Sequence, residues 1–118
     1  MGRYIRVGKL NNNILNQINI KLVTEEVIFT YERIGHVEEK RVKLYNDIMN
    51  MLPNIIYNPD YIYKDWNNRK NTLVFISSLN EQENIDIVIK IAIENDNKHT
   101  KNSIITMFKI GEKTFSKK

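Results

Sequence analysis

The sequence predicts an α+β fold, with helices in the first half of the chain and an antiparallel meander of four strands in the second half. Apolar residues recur at helical spacing between residues 34 and 52, until Pro53 interrupts the run. Residues 85–94 instead alternate, with isoleucine at every odd position, which is the strongest strand signal in the chain. The length of 118 residues, without a linker or a repeat, fits a single domain over residues 1–118.

The first half of the chain is expected to add short strands to its helices. Residues 3–7 alternate and predict one strand, and residues 10–18 carry leucine and isoleucine at helical spacing among helix-weakening asparagines. Residues 26–31 are rich in β-formers and predict another strand. Thr30 is then suitably placed to cap the long helix that follows.

The second half is expected to form the sheet, with polar, turn-rich segments at residues 65–71 and 95–102. Its four predicted strands cover residues 61–64, 73–77, 85–94 and 103–110. In the third of them the odd-numbered isoleucines share one face, which we expect to be buried under the helices. The opposite face carries Lys90 at its centre. The sequence leaves open which side of the last strand lies next to Lys90.

Charge is distributed unevenly along the chain. Net charge is +4, and residues 98–118 contain six lysines and a single glutamate, whereas the preceding residues are nearly balanced. A basic end favours a polyanionic partner such as nucleic acid, although a solvated lysine tail gives the same pattern. Cysteine is absent, which excludes disulfides, zinc–thiolate sites and thiol nucleophiles. No apolar run reaches membrane-spanning length, and no signal-peptide core is present.

The sequence lacks the motifs of several kinds of catalytic site. The histidines His36 and His99 are far apart and lack the carboxylate spacing of a metal site. The four glycines are scattered, so no phosphate-binding loop is present. No nucleophile-elbow motif surrounds any serine. We therefore expect neither a metal nor a cofactor.

The stretch RIGHVEEKR, residues 33–41, places a histidine among cations. Nearby cations favour the neutral imidazole, the form that accepts a proton. His36 is therefore a candidate general base, although an ordinary surface histidine has the same surroundings. RNA cleavage without a metal needs such a base for the 2′-OH and further groups that stabilise the phosphorane. Lysine, arginine and Thr106 can meet phosphate oxygens.

Candidate RNA contacts accompany this base. Arg33 and Lys40 flank His36 on the predicted helix, and Lys109 and Lys113 lie in the basic end, where they contact phosphate or only aid solubility. Tyr63 and Trp66 are candidates for stacking on a base. Alternatively, they pack as a buttress beneath the sheet.

Six short segments follow one another along nearly the whole chain. They are VGKL at 7–10, GHVEEKR at 35–41, NPDYI at 58–62, LVFIS at 73–77, IDIVIKI at 85–91 and SIITMFK at 103–109. In this order they resemble the phage-associated branch of the barnase–EndoU–colicin–RelE-like nuclease superfamily. The resemblance implies N-terminal helices packed on a four-stranded antiparallel sheet, and metal-independent ribonuclease activity in a toxin-like module.

The resemblance also implies roles for particular residues. By position, the helix histidine is His36, the lysine of the long strand is Lys90 and the hydroxyl of the last strand is Thr106. The family pattern has a second histidine five residues after the first, where this chain has Arg41. Arginine barely releases its proton but clamps phosphate well. His36 is then the base, and Arg41 and Lys90 stabilise the transition state.

Two functions follow from these expectations. The first is a metal-independent endoribonuclease that acts on RNA, with tRNA among its candidate substrates. A cognate immunity or antitoxin protein would be its protein partner, the membrane would not be involved, and the setting would be the cytoplasm of the producing or the target bacterial cell. The second is a non-catalytic module that binds nucleic acid or protein, in which Arg41 marks decay of the site. Convergence of His36, Lys90 and Thr106 on one concave, cationic surface distinguishes the first from the second.

Overall fold

The computed structural model of the chain describes residues 3–64, 71–92 and 101–111, without the side chains of residues 40–42. Its elements are β1 (Tyr4–Lys9), α1 (Asn12–Gln17), β2 (Glu26–Thr30), α2 (Tyr31–Ile48), α3 (Leu52–Tyr57), β3 (Tyr61–Lys64), β4 (Thr72–Ser78), β5 (Glu83–Lys90) and β6 (Asn102–Gly111). Each predicted helix and strand is present, with ends that differ by a few residues. The predicted turns at 65–71 and 95–102, and the end of the long strand at 93–94, lie largely outside the described residues.

The sheet differs from the one expected. Its six strands lie in the order β1-β2-β6-β5-β4-β3, and the β2–β6 pair is parallel while the other pairs are antiparallel. The prediction of N-terminal helices on a four-stranded antiparallel sheet, the barnase/RelE-like architecture, is therefore wrong. The chain begins with a strand, and β1 and β2 extend the sheet. The backbone N–H and C=O groups of every strand need hydrogen-bond partners. On one side β2 finds these partners in β6, which is remote in sequence.

Asn102 holds the parallel pair together. Only two residue pairs are in register between β2 and β6, namely Val27–Asn102 and Ile28–Ser103. The fully buried Asn102 side chain donates through Nδ2 to the carbonyl oxygens of Thr24 (2.7 Å) and Glu26 (2.9 Å), and its Oδ1 accepts from the backbone N–H of Ala92 (2.9 Å). One side chain thus joins the entrance of β2, the start of β6 and the segment after β5.

The helices cover one face of the sheet. Thr30 caps α2, as predicted, because its Oγ1 accepts a hydrogen bond from the backbone N–H of Arg33 (3.2 Å). The predicted helical run does not end at Pro53: α2 already ends at Ile48, and Pro53 lies in the first turn of α3, a position that proline favours. All three described helices contribute buried residues to one hydrophobic cluster that contains the odd-numbered isoleucines of β5, so burial of the isoleucine face is confirmed. No helix in the described part of the chain is long and apolar enough to span a membrane.

Gly8 fixes how closely α3 approaches β1. The β1–β2 register shifts between Arg6 and Gly8, and Gly8 has φ +151°, which side-chain-bearing residues rarely adopt. A Cβ at this position would lie 2.9 Å from Ile56 Cδ1 and 3.1 Å from Pro53 Cα. The close packing of helix on strand therefore requires glycine at this bulge.

Candidate functional site

Strand alternation divides the side chains of the sheet between two faces. We call the side covered by the helices the first face and the opposite side the second face. Ile85, Ile87 and Ile89 point to the first face, so Asp86, Val88 and Lys90 point to the second. Thr106 is in register with Val88 and also lies on the second face.

A β-bulge decides the orientation of Thr106. Val88 pairs with Thr106, but the next residue, Ile89, pairs with Ile104, so Ile105 is an extra residue in β6. Simple alternation placed Ile104 and Thr106 on the same side. The extra residue instead turns Ile104 into the core and Thr106 to the side of Lys90, which answers the question that the sequence left open.

The structure does not bring together the residues expected to catalyse. His36 is exposed on α2, which packs on the first face, whereas Lys90 and Thr106 lie on the second face. Residue 41 belongs to α2 by its backbone, and its side chain is outside the described set. The sheet therefore separates His36 from both Lys90 and Thr106.

The expected RNA contacts are also dispersed. Arg33 is exposed on α2, and the backbone of Lys40 lies on the same helix. Lys109 is in register with Ile85 and forms an ion pair with Glu83 (Nζ–Oε2, 3.6 Å). A hydrogen bond from Asn80 and the charge of Lys109 lower the pKa of the Glu83 carboxyl. The positions of Lys113, Trp66 and His99 lie outside the described residues.

Register arranges the second face in rows that cross the strands. Moving from β3 or β4 towards β1, the rows are Tyr61–Ile76–Asp86–Phe108, then Tyr63–Val74–Val88–Thr106, then Thr72–Lys90–Ser103–Ile28–Arg6. Two rows start with a tyrosine, and the third carries two hydroxyls and two cations. We call this third set the polar row.

Exposed groups lie on the borders of the second face. Tyr61 and Tyr63 are 62% and 57% exposed because β3 is an edge strand with one neighbour. Lys90 is exposed at the end of β5. Towards the centre, Ile76 and Val88 are buried. The accessible groups of this face are therefore the two tyrosines on the β3 edge and the two cations of the polar row, Lys90 and Arg6. Ser103 is half-buried, and Thr72 and Ile28 of the same row are buried.

The exposed charge along the polar row is positive. Near β1, Glu26 binds two cations, Arg6 (Nε–Oε2, 3.0 Å) and Lys101 (Nζ–Oε1, 3.3 Å), so this cluster keeps one net positive charge. Lys90 forms no ion pair with the residues that the structure describes. An anionic ligand can therefore approach Lys90 without first displacing a described carboxylate.

Sequence reasoning missed two parts of this surface. From the sequence, Tyr63 is a candidate for stacking and Tyr61 is not, although the YIY pattern of residues 61–63 places both rings on one face of a strand. Tyr63 is exposed and does not act as a buttress under the sheet. Arg6 was also missed, because only the pairing of β1 with β2 brings it to the same face as Lys90.

Comparison of the chain with protein-family models, curated proteins and solved structures gives no match. Among residues 3–64, 71–92 and 101–111, no three histidine, cysteine or carboxylate side chains cluster as metal ligands. We therefore infer function from the chemistry of the two faces of the sheet.

Proposed function

We propose that this protein binds nucleic acid through the second face of its sheet and does not cleave it. The observation that carries the proposal is the presence of exposed Tyr61, Tyr63 and Lys90 on one face of the sheet. Aromatic rings stack on bases, and cations bind the phosphate backbone. This combination of exposed groups suits a nucleic acid better than a protein partner, whose interface core is depleted of charge.

The positions of the candidate catalytic residues support binding over cleavage. General acid–base catalysis requires each group to lie within hydrogen-bonding reach of the same reacting phosphate, directly or through one water. His36 lies on the helix side of the sheet, and Lys90 and Thr106 lie on the other side. A phosphate held by Lys90 is therefore out of reach of His36.

The proposal is tested by binding and integrity assays on the same samples. Fluorescein-labelled RNA and DNA oligonucleotides of mixed sequence are titrated with protein in EDTA, and anisotropy is followed at increasing salt. The RNA is then run on a denaturing gel. We expect binding that weakens with salt and RNA that stays intact. Absence of binding at low salt would reject the proposal. Defined RNA fragments that disappear with His36→Ala would instead support the ribonuclease.

A pair of charge-matched variants locates the binding face. Lys90→Ala removes an exposed cation from the second face, whereas Lys43→Ala removes an exposed cation from α2, on the helix side. Both variants lower the net charge by one. Weaker binding by Lys90→Ala alone supports the second face, and equal weakening would indicate nonspecific attraction to a basic protein.

A further inference from the structure

We infer that the preferred ligand is single-stranded, with unpaired bases against Tyr61 and Tyr63 and the sugar–phosphate backbone along the polar row. This inference rests on the proposed function and specifies its ligand. It follows from the spacing of the two tyrosines and from the path of the cations across the strands.

The two tyrosines form a small stacking platform. They are separated by one residue on β3, and their registers with Ile76 and Val74 place both on the second face. Their Cα atoms are therefore roughly 7 Å apart. This distance is about twice the ~3.4 Å separation of stacked bases, so a base can contact either ring without the two sites overlapping. In a duplex the base faces are covered by neighbouring pairs, so only an unpaired strand can offer them.

The polar row continues from this platform towards β1. Lys90 lies two strands away from Tyr63 and one row further on, which corresponds to roughly 12 Å between Cα atoms. Arg6 lies three strands beyond Lys90, roughly another 14 Å. Ser103 lies between these two cations, and Lys101 lies close to Arg6 through Glu26. Thr72 and Ile28 of this row are buried, so its phosphate contacts are the exposed Lys90 and Arg6. The distance between these two cations lets them bind separate phosphates of one flexible strand.

The path from Tyr61 to Arg6 measures roughly 30 Å along the sheet. Single-stranded sites on comparable small domains cover roughly 4–16 nucleotides. An oligonucleotide of about 12 nucleotides should therefore reach both the tyrosines and Arg6, whereas one of about 3 nucleotides should reach only one of them.

The experiment compares single-stranded and double-stranded competitors. A labelled oligonucleotide of about 12 nucleotides is bound to the full chain, and unlabelled single strand or duplex of the same sequence is added. We expect the single strand to compete at a concentration at least about tenfold lower than the duplex. Tyr61→Ala and Tyr63→Ala should each weaken binding about 5- to 150-fold, the effect of losing one stacked base.

Matched variants separate stacking from other effects. Tyr61→Phe and Tyr63→Phe keep the ring and should keep the affinity. Tyr57→Ala removes a tyrosine that is 45% exposed on α3, on the helix side, and should leave binding unchanged. Circular dichroism melts report whether each variant folds. If an alanine variant unfolds, Tyr61→Leu or Tyr63→Leu replaces it, since leucine keeps apolar bulk without an aromatic face.

Failure of this inference differs from failure of the proposed function. If the protein binds no nucleic acid, the proposed function is wrong and the inference falls with it. If duplex competes as well as single strand, or if Tyr→Ala variants bind normally while Lys90→Ala binds weakly, the protein binds nucleic acid through its cations and the single-strand inference alone is overturned.

Discussion

His36 and Lys90 lie on opposite sides of one six-stranded sheet. His36 is exposed on the helix that covers the first face, and Lys90 is exposed on the second. The two residues that would share a phosphate in a ribonuclease therefore belong to different surfaces of the molecule, and substitutions should separate their effects.

His36→Ala is expected to change neither nucleic-acid affinity nor the integrity of bound RNA, because the ring is remote from the second face. Lys90→Ala should lower the affinity and reduce the slope of log K against log salt by about 0.7, the value for one phosphate contact on a single strand. Anisotropy titrations at several salt concentrations measure both effects. A loss of RNA cleavage of roughly 100- to 10,000-fold in His36→Ala would instead mean that the histidine is a general base.

Asn102→Ala should destabilise the fold. The substitution removes the side-chain partner of the buried N–H of Ala92 and of two part-buried carbonyls, those of Thr24 and Glu26. We expect the free energy of unfolding to fall by roughly 2–4 kcal/mol. Urea denaturation measures this change, with Asn46→Ala, at an exposed position of α2, as the control. A change below about 1 kcal/mol would show that water replaces the lost hydrogen bonds.

Two glycine substitutions should change the stability of the fold in opposite directions. Gly8→Ala introduces a Cβ against Ile56 and Pro53 at a positive φ and should cost roughly 1–3 kcal/mol of stability. Gly35→Ala lies within α2, where an added Cβ meets no atom within 4 Å, and should stabilise by roughly 0.5–1 kcal/mol. Thermal melts of both variants measure the difference. Equal effects would contradict the close approach of α3 to β1.

The Glu83 carboxylate should contribute stability that depends on pH. The hydrogen bond from Asn80 and the charge of Lys109 lower its pKa in the folded state below the ordinary value of 4.5. The contribution is therefore present above pH 4.5 and is lost as the pH falls through the lowered folded-state pKa. Glu83→Gln should be less stable than the wild type at pH 7, and the difference should shrink in acid. Urea midpoints of both proteins, measured from pH 7 into the acid range, test this pH dependence. A stability difference that grows in acid would contradict it.

Local patterns in the sequence were enough to predict the described elements except the short helix α3. A cap such as Thr30 and the alternating isoleucines of β5 act through neighbouring residues and through contact with water, whereas Pro53 begins α3 and does not break a helix as predicted. Whether a segment with such a signal forms a helix or a strand depends little on which distant segment packs against it. The same alternation placed Lys90 opposite the isoleucine face, and the structure confirms that orientation.

Only the tertiary structure decided how the elements assemble and which groups share a surface. β2 pairs in parallel with β6, the extra residue Ile105 turns Thr106 towards Lys90, and the edge position of β3 exposes Tyr61 and Tyr63. Each of these outcomes depends on hydrogen bonds between strands that are far apart in the chain. Any strand can offer the same backbone donors and acceptors to several neighbours, so the pattern within one strand does not specify its partner or its register.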